Sequence, residues 1–478
     1  MDDRERVLAR RLLVVVGAGF LVAQLVLFSL DRAPSWDEAI YLSQVTPGSE
    51  AIVFAPSRAR GITFLVAPAT AFGGSMATVR LFLAVASSAA LAAAFLPWVP
   101  VLGLAAPLAA FTLGFSWLGL FYGSEAMPNL WAAMLGVAAA GMLAPGFGGP
   151  GRWAVPAAAA LLALVGLFRP SDALALAAAF GVAVLLLQGR GSLRTLAWLG
   201  GGLAMGWAPW LVEMSVRYGG PVAALREAGT VGHVVPGGLG EKARQYLALT
   251  NGPTLGPEQQ AEVPVAGGLW VGAVAALAGW ALARSRRSAA FGPLVAATLG
   301  GLTLAVEYLL VVSGLAPRFL LPAYALLCVP AAAGVAYLLR TRAASPAAAT
   351  LAIVLVAAWT GWQVGTANRI EAGASVARAA ARQVGLAVRD LAGEGPCAFA
   401  SSDGFPQIAF ASGCDGRHLR TVDDDTIEAL RALSDRGYRA FVVLRMPPPP
   451  GSPLDGLPAT TVAAAPGWLV YELPAAPS

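Results

Sequence analysis

Charge is what this chain has least of. Asp, Glu, Lys and Arg make up 12% of its 478 residues, against about 25% in an ordinary soluble protein. Hydrophobic residues make up 57%, and mean hydropathy is +0.67. That balance excludes a soluble globular enzyme and reads as a multi-span membrane protein. Cysteine is scarce too, and three residues are too few for a disulfide scaffold. The two histidines, His233 and His418, are isolated from each other, so neither reads as a metal ligand. There is no Walker A loop, no G-x-S-x-G elbow and no H-E-x-x-H. No internal repeat of the kind that builds inverted-repeat transporters is visible. The net charge of +5 does not point to nucleic acid. The arginines fall in short clusters between apolar runs and form no basic stripe.

What is present is a succession of apolar segments. Arg4, Arg6, Arg10 and Arg11 precede the first of them, which places the N-terminus in the cytoplasm. No convincing small-residue cleavage site closes this segment, so it is expected to remain as a span. Spans are expected near 12–30, 79–98, 101–121, 125–144, 154–168, 171–187, 195–212, 266–283, 292–313, 319–339 and 347–366. The inner loops then carry Arg152, Arg190 with Arg194, Arg284 with Arg286 and Arg287, and Arg340 with Arg342, as the positive-inside rule requires. The inner turn near 98–101 holds no charge. Between the first two spans, residues 31–78 read as an external loop with interfacial helices at 37–45 and 61–72.

This topology leaves Asp37, Glu38, Arg58, Arg60, Glu125, Arg169, Asp172 and Arg318 on the outer side. Outward arginines at span ends either snorkel to headgroups or meet an anion. The adjacent pair Asp37-Glu38 follows directly on the first span, where carboxylates are solvated or functional. Neighbours on a helix point about 100° apart, so the two are expected to do different jobs. The plain alternative is that Asp37 caps a helix beginning at Glu38. Glu125 and Asp172 also suit a helix N-terminus, which favours an acid electrostatically.

Beyond about Asn368 the composition becomes that of a soluble domain. Helices are expected at 375–391, 405–412 and 426–436, and strands at 397–401, 439–444 and 467–473. Residues 368–478 thus form a small α/β domain, outside the membrane if the span count is odd. Residues 1–367 form the membrane domain. Cys397 and Cys414 lie in the oxidising compartment on this topology and are expected to pair, whereas Cys328 lies in a span. Asp423-Asp424-Asp425 reads as a solvated turn or helix cap, because three successive acids diverge.

Five outer-face segments together resemble the GT-C superfamily of membrane glycosyltransferases, which includes the protein O-mannosyltransferases and the lipid A aminoarabinose transferases. Trp36-Asp37-Glu38-Ala39-Ile40-Tyr41 looks like the family's D-E-x-x-Y. Ala59-Arg60-Gly61-Ile62-Thr63-Phe64 stands where a basic residue opens the second interfacial helix, although the usual proline is absent. Phe121-Tyr122-Gly123-Ser124-Glu125-Ala126-Met127-Pro128 resembles the second acidic motif. Arg169-Pro170-Ser171 and Pro317-Arg318-Phe319-Leu320-Leu321-Pro322 are similar to arginine–proline elements of bacterial members. The likeness is strongest over residues 12–144.

The resemblance implies a polytopic helical membrane protein of about eleven spans with an extracytoplasmic α/β domain. It implies an inverting transferase in the cell membrane that moves a sugar from a polyprenyl-phosphate donor to a glycan, lipid or protein acceptor of the cell envelope. The chemistry fits: an acceptor needs a base, and a leaving phosphate gathers charge that guanidiniums stabilise. Asp37 is then the expected base. Arg60, Arg58, Arg169 and Arg318 are expected at the donor phosphate. Glu125 orients the acceptor, or binds a divalent metal ion with Glu38. A ligase using a diphosphate-linked glycan shares the architecture. A lipid or glycan transporter is a weaker reading, because the spans carry almost no charge away from their ends apart from Glu307.

Overall fold

A computed structural model describes residues 3–72, 74–143, 153–189, 192–231, 238–249, 265–312, 316–342, 346–419, 422 and 424–474. Arg152, Arg190, His233 and Asp423 lie outside the described residues. The helices begin with α1 (Asp3–Leu27), α2 (Trp36–Ser43), α3 (Gly61–Ala71), α4 (Met76–Phe95) and α5 (Val99–Leu102). They continue with α6 (Ala105–Gly114), α7 (Trp117–Gly123), α8 (Pro128–Met142), α9 (Ala154–Phe168) and α10 (Pro170–Gln188). Next come α11 (Ser192–Tyr218), α12 (Pro221–Val231), α13 (Gly238–Leu249), α14 (Val265–Ser285), α15 (Phe291–Leu310) and α16 (Leu321–Arg342). The last three are α17 (Pro346–Ala392), α18 (Phe405–Ser412) and α19 (Asp424–Ser434). Among the described residues there follow five strands, β1 (Cys397–Ser401), β2 (Asp415–His418), β3 (Arg439–Leu444), β4 (Ala459–Thr461) and β5 (Leu469–Leu473).

The chain is a polytopic helical membrane protein with a small C-terminal sheet. Among the described residues, six helices are long and apolar enough to cross a bilayer, or seven if one bent pair counts as a span. That bent pair is α6 and α7, which the sequence reads as a single span over 101–121 but which meet at 68°. The break has a local cause. Ser116 takes an extended conformation and its Oγ accepts the Gly119 N–H at 3.0 Å, opening a new helix. Gly119 is confined there, since a Cβ would stand 2.2 Å from the Leu113 carbonyl oxygen. The last expected span and the first expected domain helix are also joined differently. They are one 47-residue helix, α17, which runs through Gly373 between them at a cost of about 1 kcal/mol.

By contact the chain divides into two compact units. The first comprises Met1–Phe28, Ala55–Ile62 and Phe82–Ile370. In it, α9 and α11 pack through small residues. Cβ atoms on Gly202 and Gly206 would stand 2.3 and 2.4 Å from the carbonyl oxygens of Ala159 and Ala163. Such a Gly-x-x-x-Gly stripe lets two backbones touch where no water is left to drive apolar association. Helix α8 packs against α9, α15 and α16 and is buried on nearly all sides, as its all-round apolar sequence requires.

The second unit comprises Ser29–Phe54, Thr63–Leu81 and Glu371–Ser478. Its sheet runs in the order β2-β1-β3-β5-β4, with β1 parallel to both neighbours and β5 antiparallel to β3 and β4. β1 is buried along its whole length and β3 beyond its first residue, as their continuous apolar runs lead one to expect. Ile427 and Leu430 of α19 pack onto Ala398, Ala400, Val442 and Tyr471. β2 and β4 have no counterpart among the strands read from sequence. Both lie at sheet edges and are mostly exposed, so no apolar pattern marks them. A disulfide joins Cys397 to Cys414, and Cys328 is a free, buried thiol.

Candidate active site

Helix α2 carries both acids of the first external loop. It opens at Trp36, with Ser35 extended at the N-cap position (φ −71°, ψ 173°). The Ser35 N–H donates to Glu38 Oε2 at 2.9 Å, half of a capping box. Glu38 therefore tends the helix start, and Asp37 is the second helical residue rather than the cap. Asp37 is half-buried and Glu38 has no exposed surface.

A fully buried carboxylate needs partners, and Glu38 has them. Arg80, also fully buried, donates from both terminal nitrogens, with Nη2 at 2.9 Å from Oε2. This is the bidentate fork that Arg forms best. Arg378 stands at 3.8 Å. Burial pushes the Glu38 carboxyl up, but Arg80, followed by Arg378 and Arg32, outweighs burial and brings it from 4.5 to about 2. A second buried pair lies beside it in the same unit, where Arg32 donates to Glu371, whose other oxygen accepts the Ser375 hydroxyl at 2.6 Å. With both oxygens engaged and three guanidiniums nearby, Glu38 does not fit as a ligand for a divalent cation. Among the described residues, no group of three or more His, Cys, Asp or Glu side chains is placed to hold a metal.

In the membrane unit the expected arginines have distinct settings. Arg60 is gripped by Glu213 of α11, with Nε at 3.1 Å from both carboxylate oxygens and Nη2 at 2.6 Å from Oε1. Arg217, one turn on, reaches the same carboxylate at 3.4 Å. Gly61 lies so close to α9 that a Cβ would meet the Leu167 carbonyl oxygen at 2.6 Å. That contact brings Arg60 to the end of α9, two residues before Arg169. The indoles of Trp207 and Trp210 fasten the same region, donating to the carbonyls of Pro170 and Pro56 at 2.8 and 3.0 Å. Arg58 is half-buried on the turn before Arg60.

Arg169 donates to Asp172 at 2.9 Å and to the Tyr308 hydroxyl, which itself donates to Asp172. Its guanidinium carbon stands 5.7 Å from the Phe319 ring centroid, and that of Arg318 stands 5.1 Å from the same ring. The structure therefore brings Arg169 and Arg318 together around Phe319. Asp172 is a partner of Arg169 as well as an acid at a helix start. Glu125 is buried in the turn between α7 and α8, where Pro128 opens α8.

Sequence reasoning passed over Arg80, Arg32, Glu371, Glu213 and Tyr308, and read Arg378 as an exposed residue of the helix over 375–391, whereas it is buried beside Glu38. Arg80 did carry a signal, since it is a lone charge inside the apolar run Met76–Phe95. The others carried none, because their partners lie far off in sequence, 339 positions away for Arg32 and Glu371.

No protein-family profile and no curated protein matches this chain. Solved structures do. ArnT from Cupriavidus metallidurans bound to undecaprenyl phosphate is similar over 97% of this chain and 99% of its own, at TM-score 0.68 and 15% identity. Its apo state is similar over the same shares at TM-score 0.65 and 14% identity. The Archaeoglobus fulgidus oligosaccharyltransferase tethered with an acceptor peptide is similar over 90% of this chain and 68% of its own, at TM-score 0.55 and 14% identity. The fold is therefore that of the GT-C glycosyltransferases.

Proposed function

We propose that this chain is an inverting glycosyltransferase. It moves a sugar from a polyprenyl-phosphate donor to a hydroxyl of a cell-envelope glycan, lipid or protein. The observation that carries this reading is the division of labour within the first acid pair. Glu38 is fully buried and held by Arg80 and the Ser35 N–H, and the adjacent Asp37 is a half-buried carboxylate on the first turn of α2, pointing about 100° away from it. The similarity in fold to a structure bound to undecaprenyl phosphate supports the class of donor.

In this reading Asp37 accepts the proton as the acceptor oxygen attacks the anomeric carbon. The new C–O bond forms as the bond to the donor phosphate breaks, and polyprenyl phosphate leaves. A single displacement inverts the anomeric centre. Arg60, Arg169 and Arg318, with Arg58 beside them, hold the phosphate and stabilise its growing charge. Glu125 orients the acceptor. The chain spans the cell membrane eleven times from a cytoplasmic N-terminus, and residues 368–478 form an extracytoplasmic domain. The deciding experiment incubates the purified protein and a membrane extract with polyprenyl phosphates carrying mannose, arabinose or aminoarabinose. Release of polyprenyl phosphate from one donor is expected, and release from none removes the proposal.

A further inference from the structure

Trp36, which directly precedes Asp37, belongs to a cluster of three rings drawn from three separate segments. Phe405 opens α18, and its ring centroid lies 5.0 Å from that of Trp36 at an interplanar angle of 90°. The His418 ring, at the end of the edge strand β2, lies 6.0 Å from Trp36 and 5.6 Å from Phe405. The local sequence makes this convergence. Gly404, at φ +61°, sets the left-handed turn that starts α18. Gly416 has no side chain, and a Cβ there would stand 2.8 and 2.9 Å from Ala409 and Phe399. β2 therefore lies close against α18. His418, two residues on, shares that face of the strand and reaches Phe405. Trp36 and Phe405 are half-buried, and His418 is exposed.

We propose that Trp36, Phe405 and His418 form a stacking platform for a sugar ring of a glycan acceptor. The inference rests on the transferase reading given above. An aromatic face is electron-rich, and the C–H face of a pyranose or furanose carries the complementary small positive charge. Trp36 meets both other rings edge-to-face and Phe405 meets His418 at 42°, so no two rings lie face to face. A carbohydrate also needs polar groups around its apolar face. Asp403, exposed two residues before Phe405, and Asp37, next to Trp36 on α2, are the acids nearest in sequence to the cluster. Consecutive Cα atoms are about 3.8 Å apart, so a ring stacked on Trp36 brings its hydroxyls into the neighbourhood of Asp37. The platform would thus deliver an acceptor hydroxyl to the base.

The test is binding in the absence of donor. Linear oligosaccharides of mannose, of arabinose and of N-acetylglucosamine are titrated onto the purified full chain, with saturation-transfer NMR and calorimetry as readouts. One series should bind, and Trp36→Ala should weaken it at least tenfold while Trp36→Phe restores most of the affinity. His418→Ala, at an exposed position of the edge strand, should weaken it severalfold. In turnover assays both alanine variants should raise KM for the acceptor and leave KM for the donor unchanged. Failure of all three series to bind the wild-type chain would overturn the platform, as would wild-type affinity in folded Trp36→Ala and His418→Ala. Release of polyprenyl phosphate without oligosaccharide binding removes the platform and keeps the transferase. Oligosaccharide binding that these variants weaken, with no release from any donor, supports the platform as a glycan site and removes the transferase.

Discussion

Replacing Arg80 with Met keeps the length and apolar stem of the side chain and removes its charge. Glu38 would then remain in a fully buried position without its bidentate partner. Its carboxyl is held at about 2 against 4.5 when unperturbed. At 1.36 kcal/mol per pKa unit, the arginines contribute about 3 kcal/mol net to keeping it charged. Breaking a buried pair by removing one partner costs about 3–5 kcal/mol, because the other charge is left buried alone. The sign with pH follows. A carboxyl depressed in the folded state contributes stability that is complete above 4.5 and is lost as pH falls towards about 2. The assay is thermal unfolding of purified protein in nanodiscs, followed by tryptophan fluorescence between pH 3 and 8. Arg80→Met should lower the melting temperature sharply at neutral pH and flatten its dependence between pH 3 and 5. Adding Glu38→Leu should recover much of the loss, because the orphaned charge is gone. Wild-type melting by Arg80→Met across this range would refute the reasoning.

Four further outcomes are expected. Asp37→Asn should reduce transfer by about 10²–10⁴ in a protein that still folds, since Ser35 and not Asp37 stands at the N-cap of α2; wild-type turnover would end its assignment as base. Glu213→Gln should tighten polyprenyl phosphate binding severalfold, because the carboxylate competes with phosphate for Arg60, and weaker binding in a titration would show that Glu213 instead positions Arg60. Cys397 and Cys414 should alkylate only after reduction, and Cys397→Ala with Cys414→Ala should destabilise the second unit by about 3 kcal/mol in the chain-entropy model, read by limited proteolysis. Ser452→Cys should label from outside intact cells, and labelling only after lysis would invert the proposed topology.

The parts of the fold legible in sequence are those with local causes. Strand β1, helix α18 and strand β3 fall where alternation and apolar runs place them, and α2 and α3 are marked by the residues that interrupt the first loop. β2 was hidden because an exposed edge strand reading Asp-Gly-Arg-His has no apolar pattern. The break between α6 and α7 was hidden because both halves are apolar, and only Ser116 and Gly119 carry the signal. At the candidate site, the identity of the acids and arginines was legible but not their partners. Arg60 finds Glu213 across 153 residues and Glu38 finds Arg80 across 42, which no local pattern encodes.

The pairing of Arg32 with Glu371 has a consequence for biosynthesis. The two residues are 339 positions apart, and ribosomes add roughly 5–20 residues per second. Arg32 is therefore made about 20–70 seconds before the acid that neutralises it. Until then the first loop carries Arg32 and Glu38, with Arg80 on the helix that follows, and lacks Glu371 and Arg378. It must wait, hydrated, while the intervening spans are inserted. A ribosome stalled just short of residue 371 should therefore hold a nascent chain whose first loop is open to protease, closing when synthesis resumes.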